Sequence, residues 1–213
     1  MALFQKQPIN YTVPISYSFG AQSARLIIGL GNPGDEHDQT RHNIGFLVLD
    51  DYANKNEFPA WQQSKKFKGH VTEKVIGAHK VILLKPNTYM NDSGQAVQAI
   101  KQFYHIQINE LIVVHDELSI DFGQIRMRVG GQDAGNNGIK SVIQNIGSDF
   151  GRIRIGIKND IAEKADASNF VLSKFTKDEQ KHLPALCNEA SAVITEWLYG
   201  GQLPHDTRSI LIE

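Results

Sequence analysis

The stretch that most constrains this chain runs from Arg25 to Gly45, RLIIGLGNPGDEHDQTRHNIG. Leu26 to Leu30 has no polar interruption, which suits a strand covered on both faces, as in the interior of a parallel sheet. Gly31, Asn32, Pro33 and Gly34 form a turn signal, a polar loop follows, and the spacing predicts a helix from about Asn43. In α/β proteins the connection leaving the carboxyl end of such a strand is where ligands bind. Asn32, a neutral amide, and His42, a titratable imidazole, share that one connection. The stretch therefore reads as half of an active site.

Strand and helix patterns alternate along the rest of the chain. Ile44, Phe46, Leu47, Leu49 and Tyr52 recur at helical spacing to about Lys55, and Phe58-Pro59 closes that helix. Residues 67–76 and 79–85 read as a hairpin about Gly77-Ala78, with an exposed first strand and a buried second. The loop PNTYMNDSG then leads into a helix with Ala96, Val97, Ile100 and Phe103 on one stripe. Leu111 to Val114 is another apolar strand, expected to end at His115-Asp116-Glu117; charge arriving abruptly at a strand end marks a site in this fold class. Residues 123–129 and 152–157 are the last strands, each placing two arginines on one face, Arg126 with Arg128 and Arg152 with Arg154. Between them the glycine-rich run 130–138 opens a helix. A short helix near 168–172 precedes a long one, residues 176–199, opened by a Thr176/Glu179 capping box and stopped at Gly200-Gly201. The expected class is α/β, with a mostly parallel sheet carrying antiparallel additions.

With 213 residues and no shift in composition, one domain over residues 25–213 is expected. Residues 1–24 read as an extension. Within it Tyr11, Val13, Ile15, Tyr17 and Phe19 alternate with polar residues or proline, so it is either an added edge strand or a loosely held arm. A formal charge of -1 excludes a globally basic surface, so a nucleic acid must be held by a local patch. The single Cys187, in an apolar helical context, suits an inert core thiol and a reducing, cytoplasmic compartment. No apolar run nears the roughly 20 residues that span a bilayer, and no signal peptide is legible. No membrane role is expected.

Gly29, Gly31 and Gly34 match the G-x-G-x-x-G dinucleotide fingerprint, but there the helix begins at once; here it is delayed to about Asn43. His42 alone could be a surface histidine. If the strands at 26–30 and 111–114 are close in the sheet, Asp116 comes to the same rim and can orient the imidazole as a general base. No serine or cysteine stands in a nucleophile motif, which favours hydrolysis by activated water. Asn32, Asn91 and Asn137 end loops on that rim; singly they are turn formers, and together they suit holding a water, an amide or an oxyanion. No metal-ligand spacing is present. Arg126, Arg128, Arg152 and Arg154 read either as solvated strand faces or, with Lys65, Lys66, Lys68 and Lys140, as an anion site for phosphates.

GLGNPG, TRHNIGF, PNTYMNDSG, VHDEL, GNNGIKSVI and FGRIRIGI, in that order over residues 25 to about 200, resemble bacterial-type peptidyl-tRNA hydrolase. The resemblance implies a single three-layer α/β/α domain with helices on both faces of a mixed sheet. It implies cleavage of the ester between a peptide and the terminal adenosine of tRNA, recycling tRNA from aborted translation, with no metal or cofactor. The partner is the peptidyl-tRNA substrate, and the protein is expected to act as a monomer without an obligate protein partner. By the same resemblance His42 is the catalytic base, Asp116 its orienting partner, Asn32 a ligand of substrate or water, and Asn91 the holder of the water or oxyanion. Asn137, Met90, Tyr89, His37, Gly135 and Asn136 make up the implied substrate-binding set, and Arg126, Arg128, Arg154 and Lys140 the tRNA phosphate set. The chain departs from the family pattern at His37, where tyrosine is usual, and at Asn136, where GGHNG would supply a histidine. Rival readings are an RNA-binding protein without turnover and a nicotinamide oxidoreductase.

Overall fold

Leu26, Ile27 and Ile28 are inaccessible because β1 (Ser23–Gly29) lies inside an eight-stranded sheet. The computed structural model describes residues 23–162 and 165–212; the alternating stretch from Tyr11 to Phe19 falls outside them. The other strands are β2 (Gln62–Ser64), β3 (Gly69–Ile76), β4 (His79–Pro86), β5 (Leu111–Asp121), β6 (Gln124–Val129), β7 (Gly151–Lys158) and β8 (Thr207–Ser209). Their order is β2-β3-β4-β1-β5-β7-β6-β8. The centre, β4-β1-β5-β7, is parallel, and β2 with β3 and β6 with β8 add antiparallel strands at the two edges. The parallel centre follows from the uninterrupted apolar runs. The antiparallel additions are larger than expected, since β2 (QQS) and β8 (TRS) carry no apolar period to announce them.

Alternation along β1 feeds two cores. Ile27 joins the layer of α1 (Ile44–Lys55) and α5 (Lys177–Gly200), while Leu26 and Ile28 face α2 (Ser93–Phe103) and α3 (Asn137–Ile146). The helices thus cover both faces, as the resemblance implied. The expected hairpin is present with Ile76 opposite His79. The expected capping box opens α5: Thr176 Oγ1 accepts from Glu179 N at 3.2 Å, and Glu179 Oε2 accepts from Thr176 N at 2.6 Å. Cys187 is buried in that helix, and desolvation, reinforced by the charge of Asp51, pushes its thiol up to about 12. That is the inert thiol the sequence suggested. Among the described residues no helix is long and apolar enough to cross a membrane.

One strand overshoots. The sequence predicted that β5 ends at His115-Asp116-Glu117, yet it continues to Asp121. Its partner β1 stops first: pairing with β5 ends at Gly29 opposite Val114, whereas β7 runs on beside Asp116 and Glu117. Asp116 therefore stands inside a strand but past the end of its neighbour, which opens the rim.

The glycines of the opening stretch serve packing. A Cβ on Gly29 would overlap the Gly45 carbonyl oxygen, and a Cβ on Gly45 would lie 2.5 Å from Leu30 N and Val114 O. The first turn of α1 thus rests directly on the ends of β1 and β5. The first helix turn after Gly34 is a short 3-10 turn, Asp35–His37, and α1 begins only at Ile44. The arrangement lacks the helix N-terminus that a dinucleotide fingerprint places at its glycines.

Candidate active site

His42 lies in a 3-10 turn, Arg41–Asn43, that runs straight into α1. Its Nδ1 is 2.8 Å from Asp116 Oδ1, and both side chains are buried. A carboxylate accepts, so Nδ1–H donates and Nε2 is left as the proton-accepting nitrogen. Two segments 74 residues apart in sequence are joined by this bond.

The loop after β1 is held by amides. Asn32 N donates to Asn43 Oδ1 at 2.8 Å, and Asn43 Nδ2 donates back to Asn32 O at 2.9 Å. The Asn32 side chain accepts from Met90 N at 2.8 Å, which ties this loop to the 3-10 turn Met90–Asp92 after β4. Asn32, expected to meet substrate or water through its amide, thus commits its Oδ1 to the scaffold and keeps Nδ2. The role of Asn43 was not legible, since an asparagine entering a helix gives no sign of which loop it will grip.

The third segment is the glycine-rich loop. Ala134 and Gly135 both take left-handed conformations, φ +51° and +82°, and deliver Asn136 as the N-cap of α3. Asn136 Oδ1 accepts from Gly138 N and Ile139 N at 3.0 and 3.1 Å. Its Nδ2 donates to Asp116 Oδ1 at 3.0 Å and to Asp116 O at 3.3 Å. Asn137 is the first, exposed residue of α3.

These segments enclose a cavity of about 620 Å³. His42, Asp116, Asn32 and Asn91 all line it, as do His37, Tyr89, Met90, Gly135, Asn136 and Asn137. The structure thus brings together every residue that the sequence assigned to base, amides and substrate mouth. The far wall was missed. It comes from α4 (Ala167–Val171) and the following residue: Ala167, Ser168, Val171 and Leu172 face the cavity. Their spacing of four, 167 with 171 and 168 with 172, is the one signal that could have exposed it.

Arg41 fastens that wall. Its guanidinium pairs with Glu179 Oε2 at 2.5 Å, donates to Ser173 Oγ at 2.8 Å and to Lys174 O, and lies 4.4 Å from the Phe170 ring centroid. Burial lowers its pKa, opposed by the charge of Glu179.

Two further titratable residues of β5 flank Asp116. His115 Nδ1 donates to Asp116 O at 2.7 Å, while its buried Nε2 has no hydrogen-bond partner. Burial holds its pKa well below the ordinary value of 6.5, against the pull of Asp116 and Glu117. Glu117 lines the cavity and accepts from Arg154 Nε at 3.1 Å and Nη2 at 3.0 Å. Arg154, Arg126 and Arg128 line a second depression of about 320 Å³ with His205 and Thr207. Arg152 departs from the expected patch of four arginines. It is buried and donates to Gly131 O and Gln132 O at 2.5 and 2.6 Å, so it braces the glycine-rich loop. Lys140 is exposed on α3 and lines neither depression. Lys65, Lys66 and Lys68 sit between β2 and β3, at the other edge of the sheet. Among the described residues, no group of three or more His, Cys, Asp or Glu side chains is arranged to hold a metal ion.

Known proteins resemble this chain over most of its length. A peptidyl-tRNA hydrolase from Clostridium perfringens is 45% identical over 172 residues, 80% of this chain and 89% of its own length. One from Gloeobacter violaceus is 42% identical over 190 residues, covering 87% of this chain and 95% of that protein. The crystal structure of peptidyl-tRNA hydrolase from Acinetobacter baumannii superposes with a TM-score of 0.78 at 36% identity, over 85% of this chain and 93% of that one. The sequence pattern of the peptidyl-tRNA hydrolase family matches residues 26–209. The chain belongs to the peptidyl-tRNA hydrolase family.

Proposed function

We propose that the cavity hydrolyses the ester between a peptide and the terminal adenosine of tRNA by a water that His42 activates, returning the tRNA to translation. The observation that carries this reading is the His42–Asp116 hydrogen bond, at 2.8 Å, on the wall of a cavity also lined by Asn32, Asn91 and Asn137. Neutral His42 takes a proton from water at Nε2 while the oxygen attacks the ester carbonyl. Asn91, exposed at the cavity rim, and backbone N–H groups stabilise the oxyanion. Collapse expels the adenosine hydroxyl oxygen, which recovers the proton from the imidazolium. Cys187, buried and poorly ionised, is no candidate nucleophile, which favours water.

Arg126, Arg128 and Arg154 hold tRNA phosphates in this reading, and Tyr89, Met90, His37 and Asn137 meet the peptide and acceptor end. Their two depressions are joined through the Glu117–Arg154 pair. We further infer a monomer, active in the cytoplasm without a cofactor, with residues 25–213 as its catalytic domain.

The test is release of free tRNA from a purified peptidyl-tRNA by this protein in the presence of a metal chelator. Release that His42→Ala slows by on the order of 10²-fold or more is expected. Binding without release would overturn the enzymatic reading in favour of RNA binding alone.

A further inference from the structure

The sequence assigned Asn136 to the substrate mouth, yet its amide is engaged at both ends within the protein. We propose that Asn136 is a positioning residue, which acts on the reaction by fixing the Asp116 carboxylate in the orientation that serves His42. The proposal rests on the reading of His42 as the base.

The two ends of this amide cannot be exchanged. Oδ1 accepts from two backbone N–H groups of α3, and Nδ2 donates to two oxygens of Asp116. A flipped amide would set its NH₂ against N–H groups and its oxygen against oxygens. The start of α3 therefore dictates where the donor points. Helix capping alone does not require asparagine, since serine and aspartate cap about as well. Among these, asparagine alone carries an NH₂ separate from the capping oxygen: the single hydroxyl of serine is spent at the cap, and aspartate has no donor to bring to Asp116.

Asp116 Oδ1 accepts from His42 Nδ1 at 2.8 Å and from Asn136 Nδ2 at 3.0 Å. Two donors from separate segments converge on one carboxylate oxygen, which restricts rotation of the carboxylate more than either would alone. The neighbouring titratable groups have other partners. Glu117, next along β5, is paired with Arg154. His115 projects from the opposite face and donates to the Asp116 backbone carbonyl rather than to its carboxylate. His37, in the same cavity, lies 3.8 Å from Glu36. A carboxylate fixed in this way fixes the Nδ1–H tautomer and ring plane of His42, and so the direction of Nε2.

Asn136→Ser keeps an N-cap oxygen but has no N–H to offer Asp116. It is expected to lower kcat on peptidyl-tRNA by on the order of 10-fold or more, the scale of a misplaced catalytic group, with KM within about twofold and the melting temperature near that of the parent. In NMR spectra of histidine-labelled protein, the Nδ1 proton of His42 should exchange with water faster in the variant. On an Asp116→Asn background the same substitution should cost nothing further in kcat, because its route to the reaction is gone. Should Asn136→Ser not fold, Asn136→Thr retains a capping oxygen, lacks the amide donor without adding charge beside Asp116, and carries the same expected loss.

Unchanged kcat and unchanged proton exchange would leave Asn136 a helix cap only and overturn the proposal. A raised KM with unchanged kcat would instead make it a substrate contact. Losses that add in the double variant would show action independent of Asp116. If Asp116→Asn and His42→Ala themselves retain full kcat, the base assignment falls too. If both are inactive while Asn136→Ser is unimpaired, this inference alone fails.

Discussion

Arg41 Nη2 lies 2.5 Å from Glu179 Oε2, a buried pair that joins the residue beside His42 to the first turn of α5, 138 residues away. Glu179 also accepts from Asn159 Nδ2 at 2.7 Å and closes the capping box. Glu179→Ala would leave the Arg41 guanidinium buried without its counter-charge, a situation that costs about 3 kcal/mol or more. Urea unfolding should show that loss, and one below about 1 kcal/mol would mean the pair behaves like a surface ion pair.

For the base, His42→Ala should lower kcat by on the order of 10²-fold or more with little change in KM, as befits a group that acts in the transition state. The proper measure is steady-state hydrolysis of peptidyl-tRNA at saturating substrate. Near-normal turnover would remove His42 from the mechanism.

For the basic face, Arg126→Ala should raise KM for the full tRNA substrate and reduce the slope of log KM against log salt by roughly one phosphate contact. A minimal aminoacyl-ester fragment, too short to reach that face, should be hydrolysed as before. Equal losses on both substrates would contradict a phosphate site at Arg126.

His115 predicts the acid response. Its folded pKa lies below the unfolded value of 6.5 because burial disfavours the charged ring, whose Nε2 faces no partner. Between the two pKa values the unfolded chain binds the extra proton, so stability rises with pH there. The contribution is complete above about pH 6.5 and is lost as pH falls toward the folded pKa. Chemical denaturation at pH 7.5 and 5 should show this drop in the parent, and a smaller one in His115→Gln.

What the sequence disclosed and what it hid follow from range. The central strands and amphipathic helices were legible because runs such as Leu26–Leu30 and stripes such as Ala96, Val97 and Ile100 express local period. The cavity set was legible because its members sit in recognisable motifs at strand ends. The length of β5 was not, since β7 sustains it past the charges at 115–117, and pairing between distant strands leaves no local mark. Nor was the fate of Arg152, which looks like Arg154 in sequence but turns to loop carbonyls. The α4 wall and its tie to Arg41 depend on contacts more than a hundred residues apart.

Asn32 and Asn43 carry a consequence of their own. Where β1 runs out of partner strand, the Asn43 carboxamide takes the place of a peptide group. It gives an N–H and accepts an N–H across one backbone unit, as a neighbouring strand would. The sheet's ladder is in effect lengthened by one rung made from a side chain. A peptide mimic of this kind carries no charge at any pH, so this rung neither titrates nor is screened by salt, unlike an ion pair exposed to solvent.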